Sequence, residues 1–387
     1  MKKTRWLLSF VCLSLLLSLL SGCSNYVEIE KLIIVAGAAI DFDPSSGEYT
    51  VTTEILNLQN SGGNDSDYEI IYMESSGASL VEAINDMTHM AGRQLYWGHA
   101  DVFILSRSVL QHSIEPILDW FASDVNARLS SMVIVAGTEK ASEIYQMQTL
   151  GQKSVSISLE QILENYQNRG HTVVNVNELI NRYGIQGAAT CIPIVSGQTN
   201  QEQELLSISS YAVLKQDVLS GIYEGSDVPY LMLMMKNPFQ SVLSVPIANE
   251  DLTVQVKVVS HSISLQTVCS ESAVSAQIEM KLNLSLVGHI GDDTVIRNAD
   301  GTERIIQAAE QAVHDACCAL LERDIQQFGT DILCIGQHIK RHDAKIWHHI
   351  AADWDWFYAH MPYEMHVHAV IDQSGKMSPL NDQEEIS

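Results

Sequence analysis

The chain has 387 residues, with 22 Lys and Arg set against 47 Asp and Glu, a formal net charge of −25 at neutral pH. Its length suggests two or three domains. A body this acidic is repelled by nucleic acid and by anionic headgroups, and no basic patch interrupts the trend, so no nucleic-acid partner is expected.

The first element is a leader. Lys2, Lys3 and Arg5 precede an almost wholly apolar, Leu-rich stretch over 6–20. A charged start and an apolar core of this length match a signal peptide, and the stretch is shorter than the ~20 apolar residues of a comfortable membrane span. It ends Leu20-Ser21-Gly22-Cys23, which resembles a bacterial lipobox. Small Ser21 and Gly22 admit the peptidase to the backbone, the Cys23 thiol receives the diacylglycerol, and cleavage between Gly22 and Cys23 makes lipidated Cys23 the new N-terminus. The competing readings are an ordinary secretory leader with an incidental cysteine and a short uncleaved anchor. Two or three acyl chains hold a protein firmly to a bilayer where one holds it marginally, at about 0.8 kcal/mol per buried methylene. The covalent lipid on Cys23 is the only added group expected, with no other cofactor. Loss of the leader lowers the 22 basic residues to 19 against 47 acidic, a net of −28. The tether, 23–31, includes eight residues after Cys23 and spans at most about 28 Å, which holds the body close to the bilayer surface.

The body then opens on "LIIVAGAAIDFDPSSGEYTVTTEILNL", an apolar strand, a turn at 43–47 and an alternating strand over 49–56, a strong hairpin signal. A polar loop at 60–67 leads to a strand near 68–72. A helix over 79–90 carries Leu80, Ile84, Met87 and Ala91 at helical spacing. "DVFILS" reads as a strand, "SVLQHSIEPILDWFASD" as one helix with an irregularity at Pro116, "SSMVIVAG" as a strand and "ASEIYQMQ" as a helix. This alternation predicts an N-terminal α/β domain over 32–150. The pattern from 158 to 183 is helical and broken at Gly170, and "CIPIVSGQTNQEQ" reads as an extended segment running into a polar linker. These make a helical subdomain and linker over 151–205, with a boundary near 195–206.

The second half, 206–378, opens on the hairpin "ISSYAVLKQDVLSGIY" and a short helix at 231–235. Long alternating strands follow over 252–268 and 274–286, antiparallel with one buried face. A helix over 302–328 presents Ile306, Ala309, Val313, Cys317 and Leu320, and a shorter one spans 330–341. "MHVHAVIDQSG" closes the fold as a strand, and 379–387 is an acidic tail. The fold class is therefore mixed, α+β and α/β: an N-terminal α/β region with a hairpin and βαβ-like order, and a C-terminal region of long antiparallel strands with a long helix.

Catalytic patterns are missing: the sequence has no G-x-S-x-G, Walker A loop, G-x-G-x-x-G or H-E-x-x-H. Cys191, Cys269, Cys317, Cys318 and Cys334 form no C-x-x-C and read as small buried hydrophobes. His338 and His342 share a helix face and His366 and His368 a strand face, but neither pair has an evident third ligand, and no metal is expected. His99 is a loop histidine that either bonds backbone or contacts a ligand. Trp347, Trp354, Trp356 and Phe357, at helical spacings among apolar residues, read as core packing.

Four ordered stretches resemble the Ger(x)C family, the lipoprotein C subunit of spore nutrient-germinant receptors: "EIEKLIIVAGAAIDFD" with "EYTVTTEI", the Gly-His, strand, helix and strand of 96–144, "YAVLKQDVLSGIYEG", and the C-terminal helices with Trp347 and Trp354 ahead of the closing strand. Three positions depart from the family pattern. Ser24-Asn25 stands where Trp-Asp often follows the lipidated cysteine, Ala122-Ser123-Asp124 replaces an Arg-Asp pair, and "GSDVPYLMLMMK" replaces a Leu/Trp-rich continuation. The resemblance implies a non-enzymatic receptor subunit on the outer face of the spore inner membrane, beside membrane-embedded A and B subunits. A solute-binding lipoprotein of an importer is the alternative, which the long antiparallel strands fit less well.

Overall fold

A computed structural model describes Trp6, residues 32–57 and residues 68–371, apart from 125, 201–202, 236–238, 249, 293 and 298–299. The expected leader apart from Trp6, the tether and acidic tail, and the loop at 60–67 lie outside the described residues.

Strands β1 (Leu32–Asp43), β2 (Glu48–Asn57) and β3 (Glu69–Gly77) form an antiparallel meander. The turn joining the first two is fixed by its own chemistry. Asp43 Oδ1 accepts from the Ser45 backbone N–H at 2.8 Å, and Gly47 takes the left-handed conformation at φ 74°. Helix α1 (Leu80–Ala91) follows, capped by Ser79, whose hydroxyl accepts from the Glu82 N–H at 3.2 Å. β4 (Gln94–Tyr96) and β5 (Val102–Leu105) run parallel to β1, and β6 (Met132–Ala136) runs parallel to β5. These central strands are continuous apolar runs because both faces are covered. Phe103, Leu105, Val133 and Val135 face one core with α1, and Val102, Ile104, Ile134 and Ala136 face the other.

The expected single helix around Pro116 is two: α2 (Arg107–His112) and α3 (Glu115–Ser123). Pro116 lies in the first turn of the second, where a missing N–H is tolerated, so it starts a helix rather than bending one. The expected helix at 141–148 is a 3₁₀ turn over Ala141–Gln146. The helical pattern of 158–183 resolves into α4 (Val155–Asn168), a two-residue strand β7 (Val174–Asn175) and α5 (Val176–Arg182).

The segment from Cys191 is extended as expected, but where a polar linker was expected after it the chain forms a long hairpin. β8 (Thr190–Asn200) pairs with β9 (Gln203–Lys215), and β10 (Val218–Glu224) completes a sheet of order β10-β9-β8-β6-β5-β1-β2-β3. Residues 197–199 are polar because the hairpin end projects into solvent, not because the chain is unstructured there. The hairpin expected to open the second domain thus hydrogen-bonds into the first sheet. Its Tyr211, Val213 and Tyr223 nevertheless pack into the core of the second half.

That second half contains α6 (Asp227–Met234) and a smaller sheet of β11 (Val242–Pro246), β12 (Leu252–Cys269), β13 (Val274–Gly291) and β14 (Tyr363–Ile371), in that order. β12 and β13 make the expected long antiparallel hairpin, and β14 adds parallel to β13. After a single turn, α7 (Thr294–Arg297), the long helix α8 (Gly301–Arg323) buries Ile305, Ala309, Val313, Cys317, Leu320 and Leu321. The stripe begins at Ile305 rather than Ile306. The helix continues as a π turn over Asp324–Phe328, ended by Gly329 at φ 61°. α9 (Ile335–His342), α10 (Ala344–Ile350) and α11 (Trp354–Ala359) precede β14. Among the described residues no helix is long and apolar enough to cross a membrane.

Candidate functional site

Gly22 and Cys23, the expected cleavage and lipidation residues, lie outside the described residues. The other candidates can be placed. His338 and His342 stack with ring centroids 4.1 Å apart, and His342 Nδ1 sits 2.8 Å from the carbonyl oxygen of His338. His366 and His368 point to the outer face of β14, with His366 3.9 Å from Glu364. Among the described residues no three His, Cys, Asp or Glu side chains converge as a metal site. His99 closes a 3₁₀ turn over Trp97–His99 and packs edge-on to Tyr96. Trp347, Trp354 and Phe357 are buried, with the two indoles 5.2 Å apart edge to face, whereas Trp356 is 55 % exposed and stacks on His360. The core reading of these aromatics therefore fails at Trp356 alone. Among the described residues, Cys191, Cys269, Cys317, Cys318 and Cys334 form no disulfide.

Sequence reading missed two buried carboxylates at the junction of the halves. Asp324 accepts from the hydroxyls of Tyr358 at 2.7 Å and Tyr223 at 3.3 Å, from the Thr330 hydroxyl, and from the Ile332 N–H at 3.5 Å. Tyr223 belongs to β10 of the large sheet and Tyr358 to α11, so one carboxylate ties both halves to the end of α8. Burial pushes its pKa up to about 6 despite these donors. Asp331 accepts from the N–H groups of Ile335 at 2.8 Å and Gly336 at 2.7 Å, the start of α9, and full burial pushes it up to about 7. The only sequence sign was a pair of aspartates at either end of a helix-to-turn stretch, "DIQQFGTD", the second running into the apolar "ILCI".

Next to them lies a cavity of about 630 Å³, between the chain following α4, helix α5, the end of α6 and helix α9. His171, Arg182, Met235, Cys334, Gln337 and Arg341 are among its lining residues. His171 Nδ1 lies 3.2 Å from the Tyr211 hydroxyl, and its ring packs edge-on to Phe239 at 5.2 Å. Burial, reinforced by the charge of Arg169, lowers its pKa to about 4, so the ring is neutral at pH 7. Cys334 adopts φ 54°, an unusual value for a residue other than glycine, as α9 begins.

Two family models match the chain in order, the spore germination protein N-terminal domain over residues 25–197 and the spore germination B3/GerAC-like C-terminal region over 209–375. The chain belongs to the spore germination GerAC family. A solved structure described as the crystal structure of the GerBC protein is similar in fold. Its TM-score is 0.57 at 14 % identity, and the match covers 87 % of this chain and 96 % of that one. No curated protein matches the chain. The join between the two GerAC family regions falls inside the β8–β9 hairpin, and the cavity takes its walls from both: His171 and Arg182 from the first, Met235 and Arg341 from the second.

Proposed function

We propose that the chain is the lipid-anchored C subunit of a spore nutrient-germinant receptor, without enzymatic activity of its own. It acts on the outer face of the spore inner membrane by contacting the membrane-embedded A and B subunits. The observation that carries this reading is the pair of GerAC family matches following directly on Leu20-Ser21-Gly22-Cys23. The absence of catalytic sequence patterns supports a role by contact. So does the use of the buried carboxylates, whose hydrogen-bond partners are the chain's own hydroxyls and the start of a helix. Cys23 would receive the acyl chains, and Gly22 would provide the small residue at the cleavage point.

Replacement of Cys23 by Ala in spores tests the anchor and the role together. The expected result is loss of the protein from the inner-membrane fraction and loss of the nutrient response, with germination by non-nutrient chemical triggers retained. Normal nutrient germination by spores carrying only the unacylated chain would overturn the reading.

A further inference from the structure

We infer that the cavity between α5 and α9 is a binding site for a small amphipathic carboxylate, its anionic end held by Arg182 and Arg341 and its apolar body against Met234, Met235 and Leu333. The volume, about 630 Å³, lies in the range of ordinary ligand pockets, which run from roughly 300 to 1,000 Å³.

Charge is the first argument. Cations are scarce in this chain, 22 against 47 carboxylates, yet two guanidinium groups from different halves line one cavity. Among the described residues, neither forms an ion pair with a carboxylate, whereas Arg128, Arg304 and Arg323 each do. Arg341 uses its Nε on the Gln337 carbonyl at 3.2 Å, which leaves its terminal nitrogens for a ligand. A guanidinium fork matches a carboxylate in shape and donor spacing. Glu178, one helical turn before Arg182, also lines the space. It opposes a second negative charge on the ligand, so the pocket suits a monoanion. His171 adds a neutral donor or acceptor without changing that balance.

Rigidity is the second argument. The walls are bonded to one another across the two halves. Gln337 donates its backbone N–H to the Gly187 carbonyl at 3.2 Å and its side-chain amide to the Gln186 carbonyl at 2.6 Å. The Thr172 hydroxyl meets Met235 Sδ at 3.2 Å across the halves, and within the second half His261 Nε2 fixes the Met235 carbonyl at 3.2 Å. A ligand therefore enters a preformed space and pays little in ordering. The two methionines give an apolar wall that adapts to ligands of different shape.

The inference does not rest on the receptor reading, since binding requires neither the lipid nor a partner subunit. The full chain in nonionic detergent micelles is titrated with butyrate, hexanoate, benzoate and 3-phenylpropanoate, each beside its primary amide, and followed by ligand-observed NMR. The expected result is saturable one-site binding of at least one carboxylate, about tenfold tighter than its amide, weakened a further tenfold or so by Arg182→Gln and by Arg341→Gln. Both arginines are exposed, so each variant is expected to melt with the wild type. No saturation by any of the four acids up to about 10 mM, equal binding of acid and amide, or undiminished binding in the double Arg→Gln variant would overturn the assignment.

Discussion

Glu54 Oε1 accepts a hydrogen bond from the backbone N–H of Val155 at 2.8 Å, joining β2 to the first turn of α4 across 101 residues of chain. Its other oxygen takes the Ser156 N–H at 2.8 Å and the Ser154 hydroxyl at 2.9 Å. Asp41 does the same at 2.7 Å for the Ala141 N–H, where the 3₁₀ turn begins. Carboxylates from neighbouring strands thus receive the unpaired N–H groups of the elements that cover the sheet.

Glu54→Ala leaves two backbone N–H groups and one hydroxyl buried without an acceptor. The expected loss is about 3 kcal/mol of unfolding free energy, read from the shift in urea midpoint at unchanged slope. Glu54→Gln, which keeps one acceptor oxygen, is expected to recover part of it.

The junction carboxylates give a pH signature. Asp331 is raised from 3.8 to about 7 and Asp324 from 3.8 to about 6, so between those values the folded chain holds protons that the unfolded chain has released. Their contribution to stability is fully present below pH 3.8 and is lost as pH rises through 6 and 7. Relative to wild type, Asp331→Asn is therefore expected to be least stable near pH 4 and to gain about 4 kcal/mol by pH 8, as the rise from 3.8 to about 7 requires. Parallel urea titrations across that range read the difference, and a flat difference would contradict the shift.

Gly336 and Gly187 meet backbone to backbone. A Cβ at Gly336 would lie 2.6 Å from the Gly187 Cα and 2.7 Å from the Trp347 ring. Gly336→Ala is expected to cost about 2–3 kcal/mol because neither neighbour is a flexible chain end that can move aside, measured by thermal unfolding.

The aromatic residues near the C-terminus should separate by burial. Trp347→Ala empties a core position and is expected to cost about 3–5 kcal/mol. Trp356→Ala, at 55 % exposure, is expected to stay within about 0.5 kcal/mol of wild type. Equal losses in chemical denaturation would show that Trp356 carries packing the structure does not give it.

Much of the fold was legible where one physical signal dominated. The Asp43-to-Gly47 turn, the alternation along β12 and β13 and the apolar runs of β5 and β6 each have one reading. The β8–β9 hairpin was not legible, because exposed strand ends carry the same polar residues as a linker. Pro116 was ambiguous for a similar reason, since a proline marks both a break and a beginning. The cavity could not be read from sequence, because residues near 171, 182, 235, 334 and 341 meet only after both halves have packed. Nor could the capping role of Glu54, whose partners at the start of α4 lie 100 to 102 residues away. Gly22 and Cys23 rest on the sequence alone.

The placement of β1 has a mechanical consequence. The first strand after the leading segment is not at a border of its sheet: β2 flanks it on one side and β4 and β5 on the other. A pull applied through the preceding residues loads these hydrogen bonds in shear on both flanks at once, instead of peeling a strand away one rung at a time. Tension at that end would therefore turn the whole sheet, with Tyr223 and the second half attached, before it unravelled any part of it.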